Sequence, residues 1–169
     1  SIMNGFGQSI VFDGTDQSMV QTMDAGFDPN SSYTIEAWVK VNALNPDDNS
    51  NLITFTQGES TSKAAIRVLT DGRLRIKATN TTFKSTETIT VGQWQHYAIS
   101  YDQPTQQLSV YLDGKLIISE VDAADSSNVY FVWGSGNDGV SKKLNGQLDE
   151  IRIWNQALSQ QTIAAHRAL

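Results

Sequence analysis

The stretch Gly146-Gln147-Leu148-Asp149-Glu150-Ile151-Arg152-Ile153-Trp154-Asn155-Gln156-Ala157-Leu158-Ser159 decides how this chain is read. It alternates as a strand does and stops at a Trp-Asn turn before a short helical tail. Glu150 and Arg152 share one face. Ile151 and Ile153 share the other, which must be the core side. One polar face and one apolar face are the mark of an antiparallel strand at the surface of a sheet.

Strand signals of the same kind fill the chain. Ser9–Phe12, Tyr33–Val41, Asn51–Thr56, Ala64–Leu69, Arg73–Thr79, His96–Tyr101, Gln107–Leu112, Lys115–Ser119, Val129–Trp133 and Gln147–Trp154 all read as strands. Asp13-Gly14, Asp71-Gly72, Asp113-Gly114 and Asn145-Gly146 separate several of them as turn dipeptides, since glycine accepts a positive φ and Asp or Asn tolerates one. Two hairpins follow: Ile66–Leu69 to Leu74–Ile76, and Val110–Leu112 to Leu116–Ile118. Many short strands at close spacing predict a sandwich or barrel. The single helical candidate runs from Ser159, a suitable N-cap, to Leu169. With no internal repeat or linker, residues 1–169 are expected to form one domain.

Composition narrows the function. The chain has 169 residues, enough for one domain with a sizeable core. Acidic residues outnumber basic ones 18 to 12, a net charge of −6 that argues against general nucleic-acid binding. The absence of cysteine removes disulfides, thiolate metal sites and cysteine nucleophiles. No apolar run reaches the about 18 residues of a membrane span. The chain opens at Ser1 with neither an initiator methionine nor a signal peptide, so a mature segment or one module of a longer protein is expected.

Five pieces in order carry a resemblance: Val11-Phe12-Asp13-Gly14-Thr15-Asp16, Tyr33-Thr34-Ile35-Glu36-Ala37-Trp38-Val39-Lys40, Val91 to Asp102 with its Trp94-Gln95-His96 core, Tyr111-Leu112-Asp113-Gly114-Lys115-Leu116, and Gly146 to Ser159. Together they resemble the laminin-G-like, concanavalin A-like lectin/glucanase modules of bacterial exported proteins. The resemblance implies an all-β jelly-roll sandwich of two antiparallel sheets, one of them concave, with a short C-terminal helix. It also implies roles among lectins, hydrolase accessory modules and adhesins, between which a shared fold does not choose.

Relatives of this kind often hold one structural calcium near the start of the last strand, and calcium takes six to eight oxygen ligands. The resemblance makes Asp149 the first candidate ligand, with Asp13 and Asp16 on the first turn as companions. Asp13 and Asp16 are equally well explained as turn formers.

One zone of the acidic chain is basic. Residues 63 to 84 hold Lys63, Arg67, Arg73, Arg75, Lys77 and Lys84, with Asp71 the lone acid. Alternation sends Ile66, Val68, Leu74 and Ile76 to the core, and Arg67, Arg73, Arg75 and Lys77 outward together. In Val129-Tyr130-Phe131-Val132-Trp133, inward Tyr130 and Val132 would put Phe131 and Trp133 outside. The family's strand often ends here in Gly-Gly, so Trp133 before Gly134 is a departure. Aromatic rings stack on the apolar faces of sugars, and arginine grips carboxylates or sulfates through two parallel bonds. Arg67, Arg75, Lys77, Phe131, Trp133 and Asn137 are therefore the candidate ligand-binding residues. Trp133→Ala is expected to abolish binding without unfolding the domain. The competing explanation is that charged residues simply cover the solvent face of a sheet.

Other signals carry less. Glu120-Val121-Asp122-Ala123-Ala124-Asp125 imitates the acidic signature of laminarinase-type hydrolases, which need two carboxylates about 5 Å apart on a strand. Here the run follows a hairpin strand, and its last acid is Asp. His96 and His166 lie far apart, and no nucleophile elbow is present. Glu36 and Arg152 are expected to form a structural cross-strand ion pair, and Trp38 and Trp154 to pack.

The sequence thus predicts a non-catalytic binding module of an extracellular or cell-surface multidomain protein. Its expected partner is a glycan, with anionic sugars included, or a cell-surface or matrix partner. Nucleic acid and membrane insertion are not expected. The alternative is a protein-interaction, adhesion or spacer module without sugar binding.

Overall fold

A computed structural model describes residues 9–23, 26–58, 61–77, 82–122, 130–136 and 138–168. Among these described residues, twelve strands and one helix follow in chain order: β1 Ile10–Asp13, β2 Met19–Thr22, β3 Tyr33–Ala43, β4 Ser50–Gly58, β5 Thr61–Val68, β6 Arg73–Lys77, β7 Thr82–Thr88, β8 Trp94–Asp102, β9 Gln107–Leu112, β10 Lys115–Val121, β11 Tyr130–Trp133, β12 Asn145–Trp154 and α1 Gln160–His166. The strands form two six-stranded sheets, ordered β1-β12-β3-β8-β9-β10 and β2-β11-β4-β5-β6-β7, with antiparallel pairing throughout. The all-β jelly-roll expectation is met.

Period-two alternation builds the core between the sheets. Ile35, Ala37, Val39 and Val41 of β3 face Ile53 and Phe55 of β4, Ile66 and Val68 of β5, and Leu74 and Ile76 of β6, all buried in one cluster that draws on both sheets. An aromatic group reinforces it: Phe131 meets Phe27 at 5.1 Å and Phe55 at 5.3 Å, edge to face. Such edge contacts add to area burial because the positive rim of one ring meets the negative face of another.

The turns behave as their residues demand, with one exception. Gly14, Gly72 and Gly114 adopt positive φ, and Asp113 does so beside Gly114. Asn145-Gly146 is not a turn. It starts β12, where Gly146 pairs with Val41 between β1 and β3. A Cβ there would lie 2.4 Å from the Lys40 carbonyl oxygen, so this glycine serves close backbone approach. Gly134 has a similar role at φ 75, where the ring of Phe12 would lie 2.3 Å from an added Cβ.

The helix begins as expected, with the Ser159 side chain accepting a hydrogen bond from the Thr162 amide at 3.2 Å. Its one fully buried side chain, Ile163, packs with Ala98 and Tyr111 on the outer face of the first sheet.

Candidate functional site

The outer face of the second sheet can be read as rows across the strands. Registers place Val20, Val132, Thr54, Ala65 and Lys77 in one row. Asn51, Arg67, Arg75 and Lys84 form the next. Ile66, Val68, Leu74 and Ile76 are each 1% exposed on the opposite face, so Arg67, Arg75 and Lys77 do point outward together. Like charges directly opposite one another on neighbouring strands repel, and Arg67 faces Arg75 in this way. Arg73 is occupied differently: its Nε lies 2.8 Å from Asp71.

Residues 134–136 and 138–144 fold against one end of this face. The Asn51 amide donates to the Lys142 carbonyl at 2.9 Å, and Lys142 Nζ reaches Asp48 at 3.0 Å. Thr54 Oγ1 donates to the Ser135 carbonyl at 3.2 Å and accepts from Asn51 Nδ2 at 2.7 Å. That relay fixes the Asn51 amide, leaving Oδ1 as its unused end. Asn51 and Thr54 are both 0% exposed although they point away from the core.

Three buried polar atoms in the Asn51 row have no hydrogen-bond partner: Asn51 Oδ1, Arg67 Nε and Arg75 Nε. Folded proteins pair nearly all such atoms, because an unmatched one costs its full desolvation. Burial pushes the Arg67 guanidinium below its ordinary pKa, and the charge of Arg75 pushes it the same way, while Asp48 pulls partly back. A cation so placed favours an incoming negative group.

Two predicted ligand-binding residues are elsewhere. Phe131 is 2% exposed and Trp133 0%, both inside the core between the sheets. The parity of β11 is the reverse of that expected, with Tyr130 and Val132 on the outer side. The reason is energetic: β11 lies between β2 and β4, and inward placement buries Phe131 against Phe27 and Phe55 and Trp133 beside Phe131. Asn137 lies outside the described residues. Sequence reading missed Asn51, Thr54 and Tyr130. The polar run Asn49-Ser50-Asn51 ahead of an apolar strand was the available signal for Asn51.

The three candidate calcium ligands do not come together. Asp13 pairs with Asn145, and Asp149 lies four positions further along β12, roughly 13 Å at strand spacing. Asp13 Oδ1 accepts from the amides of Thr15 and Asp16 at 2.8 and 3.3 Å, closing the turn, and these bonds hold its carboxyl below the usual range. Asp149 Oδ1 accepts from the Glu150 amide at 2.7 Å. Glu150, at φ 52, sits in a bulge that adds a residue between Asp149 and Arg152 and turns Asp149 to the outer face beside Trp38. Asp13 and Asp149 therefore do not serve one ion together, and no group of three or more His, Asp or Glu side chains suited to a metal occurs among the described residues.

A second polar cluster lies on the outer face of the first sheet. Glu36, 0% exposed, receives Trp154 Nε1 at 3.0 Å and meets His166 Nδ1 at 2.7 Å. His96 Nε2 lies 3.2 Å from Oε2 but off the line of a hydrogen bond. Arg152 faces Glu36 in the register, yet its Nη1 stays 4.0 Å away and its closer partner is Glu150. The expected ion pair is thus long, and histidines and a tryptophan do most of its work. Burial pushes the Glu36 carboxyl up, but the contacts with His96, Trp154 and His166 outweigh it and hold the pKa below the ordinary value. Trp154 stacks on His166 at 5.3 Å and Trp38 meets His96 edge-on at 5.5 Å, so both tryptophans pack as expected. Of the hydrolase-like acidic run, Glu120 is on β10, an edge strand, and Ala123 to Asp125 lie outside the described residues.

Comparison with known proteins agrees with this architecture. The family model for the concanavalin A-like lectin/glucanases superfamily matches residues 13–164. No curated protein sequence matches the chain. Among solved structures, the chain is similar to a SAP-like pentraxin of Limulus polyphemus, with 17% identity, TM-score 0.69, and coverage of 92% of this chain and 79% of that one. It is also similar to the CBM40 of the Ruminococcus gnavus IT-sialidase, bound to α2,3-sialyllactose, with 15% identity, TM-score 0.68, and coverage of 90% and 98%. A third likeness is to the Trypanosoma rangeli sialidase, with 17% identity and TM-score 0.73, where 92% of this chain spans 26% of the other. At these identities the likeness is one of fold.

Proposed function

We propose that this chain, which belongs to the concanavalin A-like lectin/glucanase superfamily, is a non-catalytic carbohydrate-binding module of a secreted or cell-surface protein. The carrying observation is the outer face of the second sheet. There Asn51 Oδ1, Arg67 Nε and Arg75 Nε are buried without partners beside the outward Lys77. Sugars present many hydroxyls, each able to donate and accept, so mixed unpaired donors and acceptors on one face suit them. Tyr130 and the 64% exposed Val20 extend the same face with apolar surface for a ring's C–H side.

Binding rather than turnover is favoured by the chemistry of that face. It offers guanidiniums and an amide, and its neighbouring carboxylate, Asp48, is held by Lys142. Glycoside hydrolysis needs two carboxylates flanking the bond. Two similar structures suit a glycan ligand by their own descriptions: one is a CBM40 bound to sialyllactose, and the other is a sialidase of which this fold spans a quarter.

A glycan array probed with the purified chain, with acidic and sulfated sugars included, tests this. Hits lost on Arg75→Ala support the module. A blank array across neutral and acidic sugars overturns it in favour of an interaction or spacer role.

A further inference from the structure

We propose that Asn51, Arg67 and Arg75 form a subsite for a carboxylate-bearing sugar. The carboxylate lies across the two guanidiniums, and an adjacent hydroxyl donates to Asn51 Oδ1. This deepens the carbohydrate-binding reading and rests on it.

The three residues are consecutive in one row across β4, β5 and β6, so their side chains stand side by side on the outer face at strand spacing. Two Nε–H donors point to one group with two acceptor oxygens, which the planar carboxylate supplies. Two facing cations also set the sign of the ligand, since a neutral partner would leave their repulsion in place. Asn51 adds what charge alone does not. Its Nδ2 is spent on Thr54, whose hydroxyl donates in turn to the Ser135 carbonyl, so the unpaired Oδ1 accepts and must be met by a donor. An anion without a hydroxyl leaves that atom unmatched. A carboxylate joined to a sugar ring has hydroxyls a few bonds away and meets all three atoms at once. A sulfate ester stands one oxygen further from the ring and separates the two halves of the match.

The burial of Asn51 is what makes this a built site. It is 0% exposed and fixed by two further bonds, from its own amide to Lys142 and from its side chain to Thr54. Arg67 is lowered in pKa by burial and by Arg75, so an anion there relieves both costs. Arg73, paired with Asp71, stands outside the row.

Calorimetric titration of the full chain tests the subsite with 3′-sialyllactose and methyl glucuronide as carboxylate probes. Lactose, methyl glucoside and lactose 3′-sulfate are the comparators. At least one carboxylate probe is expected to bind tenfold or more tighter than its uncharged counterpart and than the sulfate. Arg67→Ala and Arg75→Ala should each remove tenfold or more of that affinity, and Arg67→Lys should recover only part. Thermal melts of the variants establish that they fold. Three results overturn the subsite while leaving carbohydrate binding intact: equal affinity for charged and uncharged sugars, arginine variants that bind as the parent does, or a sulfate that binds as tightly as the carboxylate. Glycan-array hits confined to sugars without a carboxylate would do the same. A blank array overturns the subsite and the wider function together.

Discussion

Glu36 on β3 and His166 on α1 stand 130 positions apart in the chain and meet at 2.7 Å. The contact fastens the C-terminal helix to the outer face of the first sheet, with Trp154 stacked on the imidazole and donating to the same carboxylate oxygen. A buried carboxylate holds its place only while its partners remain.

Removing one partner therefore costs stability rather than binding. His166→Ala should lower unfolding free energy by about 1–3 kcal/mol, the range for leaving a buried acceptor short of a partner. Sugar affinity should be unchanged, because the arginine row lies on the other sheet. Chemical denaturation measures the first quantity, and an unaltered midpoint would refute the fastening role.

Acid should act through the same carboxyl. Its pKa is held below the ordinary value, so its stabilising contribution is fully present above the unfolded-state value of about 4.3 and is lost as pH falls through the folded value. Glu36→Gln should be less stable than the parent at pH 7, and that gap should narrow toward pH 3. Denaturation curves at both pH values decide it, and a gap independent of pH refutes the linkage.

Trp133→Ala is now expected to damage the fold. The ring is fully buried beside Phe131, and truncating a core aromatic costs about 3–5 kcal/mol. The measurement is the melting temperature. A variant that melts with the parent and loses only ligand would restore the exposed-aromatic picture.

This reversal shows where sequence stops being informative. The hairpin β5–β6 was legible because apolar and polar residues alternate from Ile66 to Val68 and from Arg73 to Lys77, and β9–β10 because Asp113-Gly114 separates two largely apolar runs. Tyr130-Phe131-Val132-Trp133 is apolar at every position, so period two carries no sign and only the competition for core volume sets the face. The short β2 and the polar β7 were missed because Met19-Val20-Gln21-Thr22 is brief and Thr82 to Thr88 is an edge with little to bury. Counting by twos along the sequence puts Asp149 on the side of Ile151 and Ile153, and the bulge at Glu150 breaks that count. Of the candidate site, Arg67, Arg75 and Lys77 were legible from alternation. Asn51 was not, since its burial depends on a segment more than 80 positions away.

Backbone proximity gives a further test. Gly146→Ala puts a methyl carbon against the Lys40 carbonyl, a backbone atom that moves only with its strand. A loss of about 1–3 kcal/mol is expected, as for overpacking in a core. Denaturant titration checks it, and a neutral result would mean that β12 and β3 stand further apart than described.

The two aspartate positions should not communicate. With Asp13 and Asp149 on separate parts of the first sheet, the stability effects of Asp13→Asn and Asp149→Asn should add within about 0.5 kcal/mol, with or without millimolar calcium. A double-mutant cycle in calcium and in EDTA measures this. Coupling that appears with calcium alone would establish a shared ion.

Alternation has one more consequence. The side chains at 67, 75 and 77 lie outside the core cluster between the sheets, while their neighbours at 66, 68, 74 and 76 are committed to it. Each strand thus carries two independent texts, one fixed by packing and one open to revision. Selection, or a combinatorial library, can rewrite what these strands display at the surface and leave the folding instructions untouched.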